Sequence, residues 1–343
     1  MNSYDITLQT RDGQQLSFPC AADEDLLSAA ERENILLPSQ CRNGSCGACV
    51  AKVTQGLYQL GESSTEALPE AAKSEGQMLL CRTYPQADLH IQTPYDYEFI
   101  RFERIPERAA EIAILDTIAS DTQRLLLALL PDEEKGQAAE FEPGQYLEIR
   151  VPGTEARRAY SLANNTNWDG HLEMIIRHRP GGLFSGYLSN AKPGERLWVR
   201  GPLGTFTLRE NGLRPRWFIG GGTGVVPLIS MLRRMADWGE AHPARLYFGV
   251  RHSEELFFTE IIEELQQQLP RLQVKLCVSR PKAHEHNYAG NVVETLKGDL
   301  AAMTNSPDCY ICGSARLVQG VTETALDQGV PVAQIYSERF IPA

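Results

Sequence analysis

A multidomain chain of folds in series is predicted by three features of the sequence. Residues 1–98 carry a cysteine loop, Cys41-x4-Cys46-x2-Cys49, inside an α+β, β-grasp-like pattern of strands and one helix. Residues 107–212 show short, evenly spaced apolar runs, the pattern of a small antiparallel β-barrel. Residues 213–343 alternate strand, glycine loop, helix and strand, as in a Rossmann-like α/β domain with a parallel sheet. A length of 343 residues suits two or three domains.

In the first part, Tyr4, Ile6 and Leu8 alternate with polar residues, Asp12-Gly13 is a hairpin turn, and Leu16, Phe18 and Cys20 resume the alternation. Asp23 or Asp25 can cap a short helix that places Leu26, Leu27 and Ala30 on one face and ends before Pro38. The cysteine loop follows, with strands expected at Ala48 to Val53 and Leu89 to Gln92, and loop with a helical turn between Ser63 and Ser74. C-x4-C-x2-C with a distant fourth cysteine is the plant-type [2Fe-2S] spacing, which names Cys41, Cys46, Cys49 and Cys81 as ligands. Gly44 and Gly47 suit backbone that takes positive φ and turns its N–H groups toward sulfur. Structural zinc ligands or buried free thiols are the rivals, but four-cysteine zinc sites usually come as two short knuckles, and Cys81 has no knuckle partner.

Thr93 to Tyr97 closes this part, and the charged run to Glu107 reads as a linker, with Thr93 to Arg108 flexible. Barrel strands are expected at Ile112 to Ile118, Arg124 to Leu129, Tyr146 to Val151, Ala159 to Ala163, Leu172 to Arg177 and Arg196 to Arg200, with one helix from Leu183 to Asn190. Arg158-Ala159-Tyr160-Ser161 and Gly182-Leu183-Phe184-Ser185 offer a cation for a diphosphate, a ring to stack on a flat ring, and hydroxyls. In the last part, strands are expected at Arg216 to Gly220, Arg245 to Val250, Leu272 to Ser279 and Asp308 to Cys312. Helices are expected at Val226 to Trp238, Thr259 to Leu269 and Ser314 to Gln328. Gly220 to Gly224 lies between a strand and a helix, where N–H groups and the helix dipole hold a pyrophosphate, and Pro227 suits the helix's first turn.

The net charge of −11 argues against nucleic acid as a partner, since phosphate binding needs clustered Lys and Arg. Residues 1–98 hold 14 Asp and Glu against 6 Lys and Arg, which is −8 of that −11. This concentration of charge on the cluster-bearing part suits steering toward a basic electron acceptor. No run of eighteen apolar residues and no signal-peptide pattern occurs, so no membrane partner and a cytoplasmic place are expected. The remaining cysteines, Cys20, Cys277, Cys309 and Cys312, are scattered among apolar residues, as in a reducing compartment.

Taken together, the cysteine motif, Pro143-Gly144-Gln145-Tyr146, the R-x-Y-S of Arg158 to Ser161, the G-G-T-G-x-x-P of Gly221 to Pro227, Cys312-Gly313 and the terminal Glu338-Arg339-Phe340 resemble the ferredoxin–NAD(P)H reductase family. The resemblance covers essentially the whole chain, and it is closest to the three-domain reductases that serve bacterial oxygenases. Leu79 to Pro85 and Thr93-Pro94-Tyr95 are similar to the reductase components of soluble diiron monooxygenases, the methane monooxygenase type among them. The resemblance implies a ferredoxin domain, an FAD-binding barrel and an NAD-binding domain. It implies that Arg158 holds FAD phosphate, Tyr160 stacks on the isoalloxazine, Ser161 sits near its N5, and Gly182 and Ser185 continue the phosphate site. Gly222, Thr223, Gly224 and Pro227 would take the dinucleotide, and Cys312 and Phe340 would be the catalytic side chains beside the nicotinamide and flavin rings. One departure is visible: relatives follow Cys-Gly with Pro-Pro, whereas this chain has Ser314-Ala315-Arg316.

Glu254, after the second strand of the last part, could bond the ribose and repel a 2′-phosphate, which favours NADH. Arg251 and Ser279-Arg280 keep NADPH open. The expected function is electron transfer from NADH through FAD and a [2Fe-2S] cluster to the hydroxylase component of a diiron monooxygenase, by a chain that is a monomer on its own. Alternatives are the reductase of a Rieske-type dioxygenase, a deoxysugar reductase, and a redox sensor without turnover.

Overall fold

The computed structural model describes residues 2–102, 105–133, 136–210, 212–285 and 288–340. They form two compact units, Met1–Pro106 and Glu107–Ala343.

In the first unit, β1 (Ser3–Gln9) and β2 (Gln15–Ala21) make the expected hairpin, with Ile6 opposite Phe18 and Leu8 opposite Leu16. The short helix α1 (Leu26–Arg32) starts at Asp25, whose carboxylate accepts from the Ser28 N–H at 3.0 Å. Then come β3 (Val50–Gln55), β4 (Tyr58–Leu60), α2 (Glu70–Ser74), β5 (Gln77–Leu79), β6 (Thr83–Pro85) and β7 (Leu89–Gln92). The sheet order is β2-β1-β7-β3-β5, with the first and last strands, β1 and β7, parallel at its centre. Ile6, Leu8, Phe18, Leu26, Met78, Leu89 and Ile91 are buried between this sheet and α1. The strands β4, β5 and β6 have only three residues each, too few to show a period of two in the sequence.

The flexible stretch expected from Thr93 to Arg108 is corrected at both ends. Arg11 pairs with Asp96, the Tyr97 N–H bonds Asp12 at 3.1 Å, and Leu36 bridges Arg101, so residues 93–101 are packed against the first unit. Arg108 already belongs to a strand of the second unit. Glu103 and Arg104 lie outside the described residues.

The second unit opens with β8 (Glu107–Ala119), β9 (Thr122–Leu129), β10 (Tyr146–Arg150), β11 (Arg157–Ser161), β12 (His171–Arg177), helix α3 (Leu183–Leu188) and β13 (Arg196–Leu203). Their order is β11-β10-β13-β8-β9-β12, and the ends meet through Leu162 and Met174 and an Ala163 N–H to Glu173 carbonyl bond of 2.7 Å. An antiparallel sheet closed in this way has no free edge.

The chain continues through β14 (Arg216–Gly221), α4 (Val226–Asp237), β15 (Ala244–Val250), α5 (Thr259–Gln268), β16 (Leu272–Val278), α6 (Val292–Ala301), β17 (Asp308–Ser314), α7 (Ala315–Asp327) and β18 (Ile335–Phe340). All five strands are parallel in the order β16-β15-β14-β17-β18. The chain therefore reverses direction of winding between β14 and β17, and a crevice opens at their carboxyl ends. The α6 helix and the edge strand β18 add to the elements expected from the sequence.

Barrel and parallel sheet pack closely at Gly144, where a side chain has no room. A Cβ there would lie 1.9 Å from the Phe206 carbonyl oxygen and 2.6 Å from Met231 Cε, at φ +101°. Gly144→Ala is expected to destabilise this unit by about 3 kcal/mol, from overpacking and a strained backbone. Calorimetry should show its unfolding midpoint lower by about 5–10 °C; an unchanged midpoint would mean that the turn relaxes freely.

Candidate functional site

After α1 the chain is anchored by buried Ile35 and Leu37 and enters the cysteine loop, where Arg42, Gly44 and Gly47 take φ of +55°, +82° and +77°. These left-handed residues fold the backbone round the sulfurs. The Ser45 N–H points at Cys41 Sγ (3.3 Å), and the N–H groups of Cys41 and Ala48 point at Cys46 Sγ (3.5 and 3.4 Å). Gly44 is also obligatory for packing, because a Cβ would lie 2.8 Å from the Glu62 carbonyl. Cys49 immediately precedes β3, and Cys81 reaches it from a single turn of 3-10 helix, Leu80–Arg82, with the two Sγ atoms 3.3 Å apart.

The four thiols thus lie as two pairs, Cys41 with Cys46 and Cys49 with Cys81. One member of each is held down by its partner's S–H and by backbone N–H groups, those of Asn43, Ser45 and Cys46 for Cys41 and that of Gly44 for Cys81. Among the described residues, no three His, Cys, Asp or Glu side chains are arranged to hold a single metal ion. Two pairs of soft donors, each with a thiolate already favoured, fit two irons better than one zinc.

In the second unit β11 carries Arg158, Tyr160 and Ser161 along the barrel edge, opposite Ile149, Leu147 and Tyr146 of β10. The Tyr160 ring leans on Phe184 of α3, with centroids 5.4 Å apart, and burial pushes its phenol up to about 12. Phe184 stacks in turn on Tyr187 at 5.9 Å. Arg158 is half-buried and its Nη1 donates to the Arg157 carbonyl at 2.9 Å, which holds the guanidinium along the strand. Gly182 caps α3, and the buried Ser185 hydroxyl donates to the Arg179 carbonyl and accepts from the Arg179 N–H, both at 3.2 Å. Ser185 therefore shapes the 179–182 turn from inside.

Ser161 is buried, its hydroxyl bears on the carboxyl of Glu338 on β18, and Cys312 Sγ lies 4.0 Å from Glu338 Oε2. Glu338 was not among the candidate site residues drawn from the sequence. Its signal was present in the Glu-Arg-Phe motif, but a lone glutamate near a chain end reads as surface until β18 inserts it. Burial pushes its carboxyl up to about 8 and the Cys312 thiol well above its ordinary value. Phe340 follows two residues on, opposite Ser314. Ser161, Cys312, Glu338 and Phe340 are thus brought to the side of the barrel that faces the carboxyl ends of β14 and β17.

At that crevice, Gly222 has φ +55°, and a Cβ there would meet nothing within 4 Å, whereas one on Gly224 would lie 2.3 Å from the Cys312 carbonyl oxygen. Gly224 is needed to seat the loop on β17, while Gly222 leaves its outer face open to a ligand's approach. Thr223 is half-buried beside it, and Pro227 is buried inside the first turn of α4, where it starts the helix. Glu254 sits in a 3-10 turn (Ser253–Glu255) at the carboxyl end of β15, exposed and 3.5 Å from Lys282 Nζ.

Three domain families match the chain in sequence: a 2Fe-2S iron-sulfur cluster binding domain over residues 9–86, an oxidoreductase FAD-binding domain over 110–208 and an oxidoreductase NAD-binding domain over 218–323. Methane monooxygenase component C of Methylosinus trichosporium is 40% identical over 299 residues, 87% of each chain. The chain belongs to the ferredoxin–NAD(P)H reductase family with an N-terminal plant-type [2Fe-2S] domain. The propane 2-monooxygenase reductase component of Rhodococcus jostii is 33% identical, over 93% of this chain and 87% of that one. The toluate 1,2-dioxygenase electron transfer component of Pseudomonas putida is 31% identical over 98% of both. Among solved structures, the Amycolatopsis cytochrome P450 reductase GcoB superposes with a TM-score of 0.80 at 27% identity, over 98% of this chain and 99% of that one. The cofactors of this reductase family member are a [2Fe-2S] cluster, FAD and a nicotinamide dinucleotide, and the paired thiols and open Gly222 fit the first and last of these. Among the described residues no helix is long and apolar enough to cross a membrane.

Glu338 generates a pH dependence. Its folded pKa of about 8 lies above the unfolded value of 4.5, so the folded state keeps a proton that the unfolded state has lost. Stability should fall as pH rises between those values, by an amount of order 5 kcal/mol at most. Urea titrations at pH 5.5 and 8.5 are expected to show this loss in the parent and a flatter response in Glu338→Gln; equal slopes would remove Glu338 as the cause.

Proposed function

We propose that this reductase is the electron-transfer component of a soluble diiron monooxygenase, carrying electrons from NADH to the hydroxylase component. The likeness to methane monooxygenase component C over most of both chains is the observation that carries this reading, and the intact thiol pairs support it. The likeness to the toluate 1,2-dioxygenase component supports a second reading, an aromatic-ring dioxygenase as acceptor. In either case the acidic 1–98 part is the surface offered to the acceptor, and the protein works as a cytoplasmic monomer.

Bound FAD supplies the conversion between a two-electron hydride and the single electrons that a [2Fe-2S] cluster accepts. The side chains do the positioning. Arg158 offers charge to the FAD diphosphate, Gly182 and Ser185 shape the turn beside it, and Tyr160 presents its ring to the isoalloxazine. Ser161 would lie near N5 of a bound flavin, with Glu338 on the neighbouring β18. Burial favours the protonated form of that carboxyl. Cys312 on β17 and Phe340 on β18 would line the same point, where bound nicotinamide would meet the flavin. Gly222, Thr223 and Gly224 present backbone to the pyrophosphate at the start of α4, with Pro227 fixing that start. Glu254 offers an acceptor to the ribose hydroxyls and is kept ionised chiefly by a backbone N–H. An ionised acid there repels a 2′-phosphate, so kcat/KM should be higher for NADH than for NADPH. Steady-state rates with both check this, and NADPH preference would transfer the role to Arg251 and Arg280.

Anaerobic NADH is expected to bleach both the flavin and the cluster absorbance, and cytochrome c added afterwards should restore both. Absence of bleaching would sink the reductase reading. Cys41→Ser should lose cytochrome c reduction by at least a hundredfold while its FAD remains reducible by NADH. Loss of both would show that the two units do not carry their chemistry separately.

A further inference from the structure

The turn between β8 and β9 connects to more than its own hairpin. Asp121 Oδ2 accepts from Arg177 Nε at 2.6 Å, and the Asp121 carbonyl accepts from the His178 N–H at 2.6 Å. On the other side the Ser120 N–H donates to the Glu254 carbonyl at 3.2 Å, and Arg177 Nη2 lies 3.6 Å from Glu255 Oε1. Glu255 Oε2 in turn accepts from the Arg251 N–H at 3.1 Å. The hairpin of the barrel therefore grips the Ser253–Glu255 turn, which stands at the mouth of the dinucleotide crevice. Ile118 and Ala119 pack against the same apolar core as Phe257, so the grip has an apolar footing.

Charge explains why an arginine is needed. Asp121, Glu254 and Glu255 gather three carboxylates in a small region, and Arg177 is shared between Asp121 and Glu255 while Lys282 serves Glu254. Without Arg177 the acids repel one another, and the turn carrying Glu254 loses its lateral support. Arg177 also stands two residues before Arg179, whose carbonyl accepts from the Gly182 N–H at 3.0 Å, at the turn assigned above to FAD phosphate.

We propose that Asp121 and Arg177 are positioning residues for the nicotinamide dinucleotide: the barrel braces the Ser253–Glu255 turn and thereby sets the affinity for the adenosine half of NADH. This rests on the assignment of Glu254 to the ribose. The test uses the FAD- and cluster-loaded protein, with ADP-ribose binding measured by calorimetry and NADH kinetics measured with ferricyanide. Arg177→Ala should weaken ADP-ribose binding and raise KM for NADH by about three- to fivefold, the range of a partly exposed ion pair with two partners, with kcat within about twofold. Arg177→Lys should recover most of the loss, and Asp121→Asn should show part of it. FAD content and the cluster spectrum, read on each variant, establish that folding is intact. Unchanged ADP-ribose affinity in Arg177→Ala, or a fall in kcat with KM unmoved, overturns the brace. Glu254→Gln separates the two claims: if it weakens ADP-ribose while Arg177→Ala does not, the brace alone fails, and if neither does, the ribose assignment fails with it.

Discussion

A carboxylate cannot be buried without partners, and the second unit is assembled around one that has them. The Glu173 side chain is only 4% exposed, on β12, and accepts from Arg124 Nε of β9 at 2.6 Å and from Arg233 Nη1 of α4 at 2.5 Å. Arg233 also donates to the Ala163 carbonyl at 2.7 Å and lies over the Phe258 ring. Without its two arginines Glu173 would be a stranded interior charge, at a cost of several kcal/mol. The pairing therefore fixes α4 against the barrel in one register. Since α4 follows the glycine loop and Ala163 follows the Ser161 strand, one buried charge places the open Gly222 face and the Ser161 and Glu338 side chains on the same side of this unit.

The two halves of the chemistry ask for opposite surroundings, and the chain supplies both. Electron exchange with a partner protein needs a cluster near the surface, and Cys41 is only half-buried. Hydride exchange needs a point from which water is excluded, and Cys312 is fully buried with Glu338 close to it. Thiols serve both places, but in the first as pairs with one member of each, Cys41 and Cys81, favoured as thiolate, and in the second as a neutral wall held protonated by burial.

The legible parts of the sequence were those with a period or a fixed spacing. Alternation at Ile6, Leu8, Leu16 and Phe18 disclosed the first hairpin, and Asp25 marked the helix start, because both are local. The cysteine spacing disclosed the cluster for the same reason. What escaped depends on contacts remote in sequence. No strand was expected at β18, although the resemblance put Phe340 beside the flavin, and only its register against β17, with Glu338 opposite Cys312, brings Glu338 into the site. The linker was misjudged because its charges looked solvated, whereas Asp96 is paired with Arg11, 85 residues away.

The burial of the remaining thiols bears on how this protein would age. Of eight cysteines only Cys41 is partly open, and the other seven are buried. Burial pushes Cys20 and Cys309 up to about 12 and Cys277 up to about 11, which leaves almost no thiolate for peroxide to attack. Oxidants therefore find the cluster loop first. A worn molecule would be one that has lost its one-electron outlet while the flavin half still consumes NADH, so damage would uncouple nicotinamide oxidation from useful work before it stopped it.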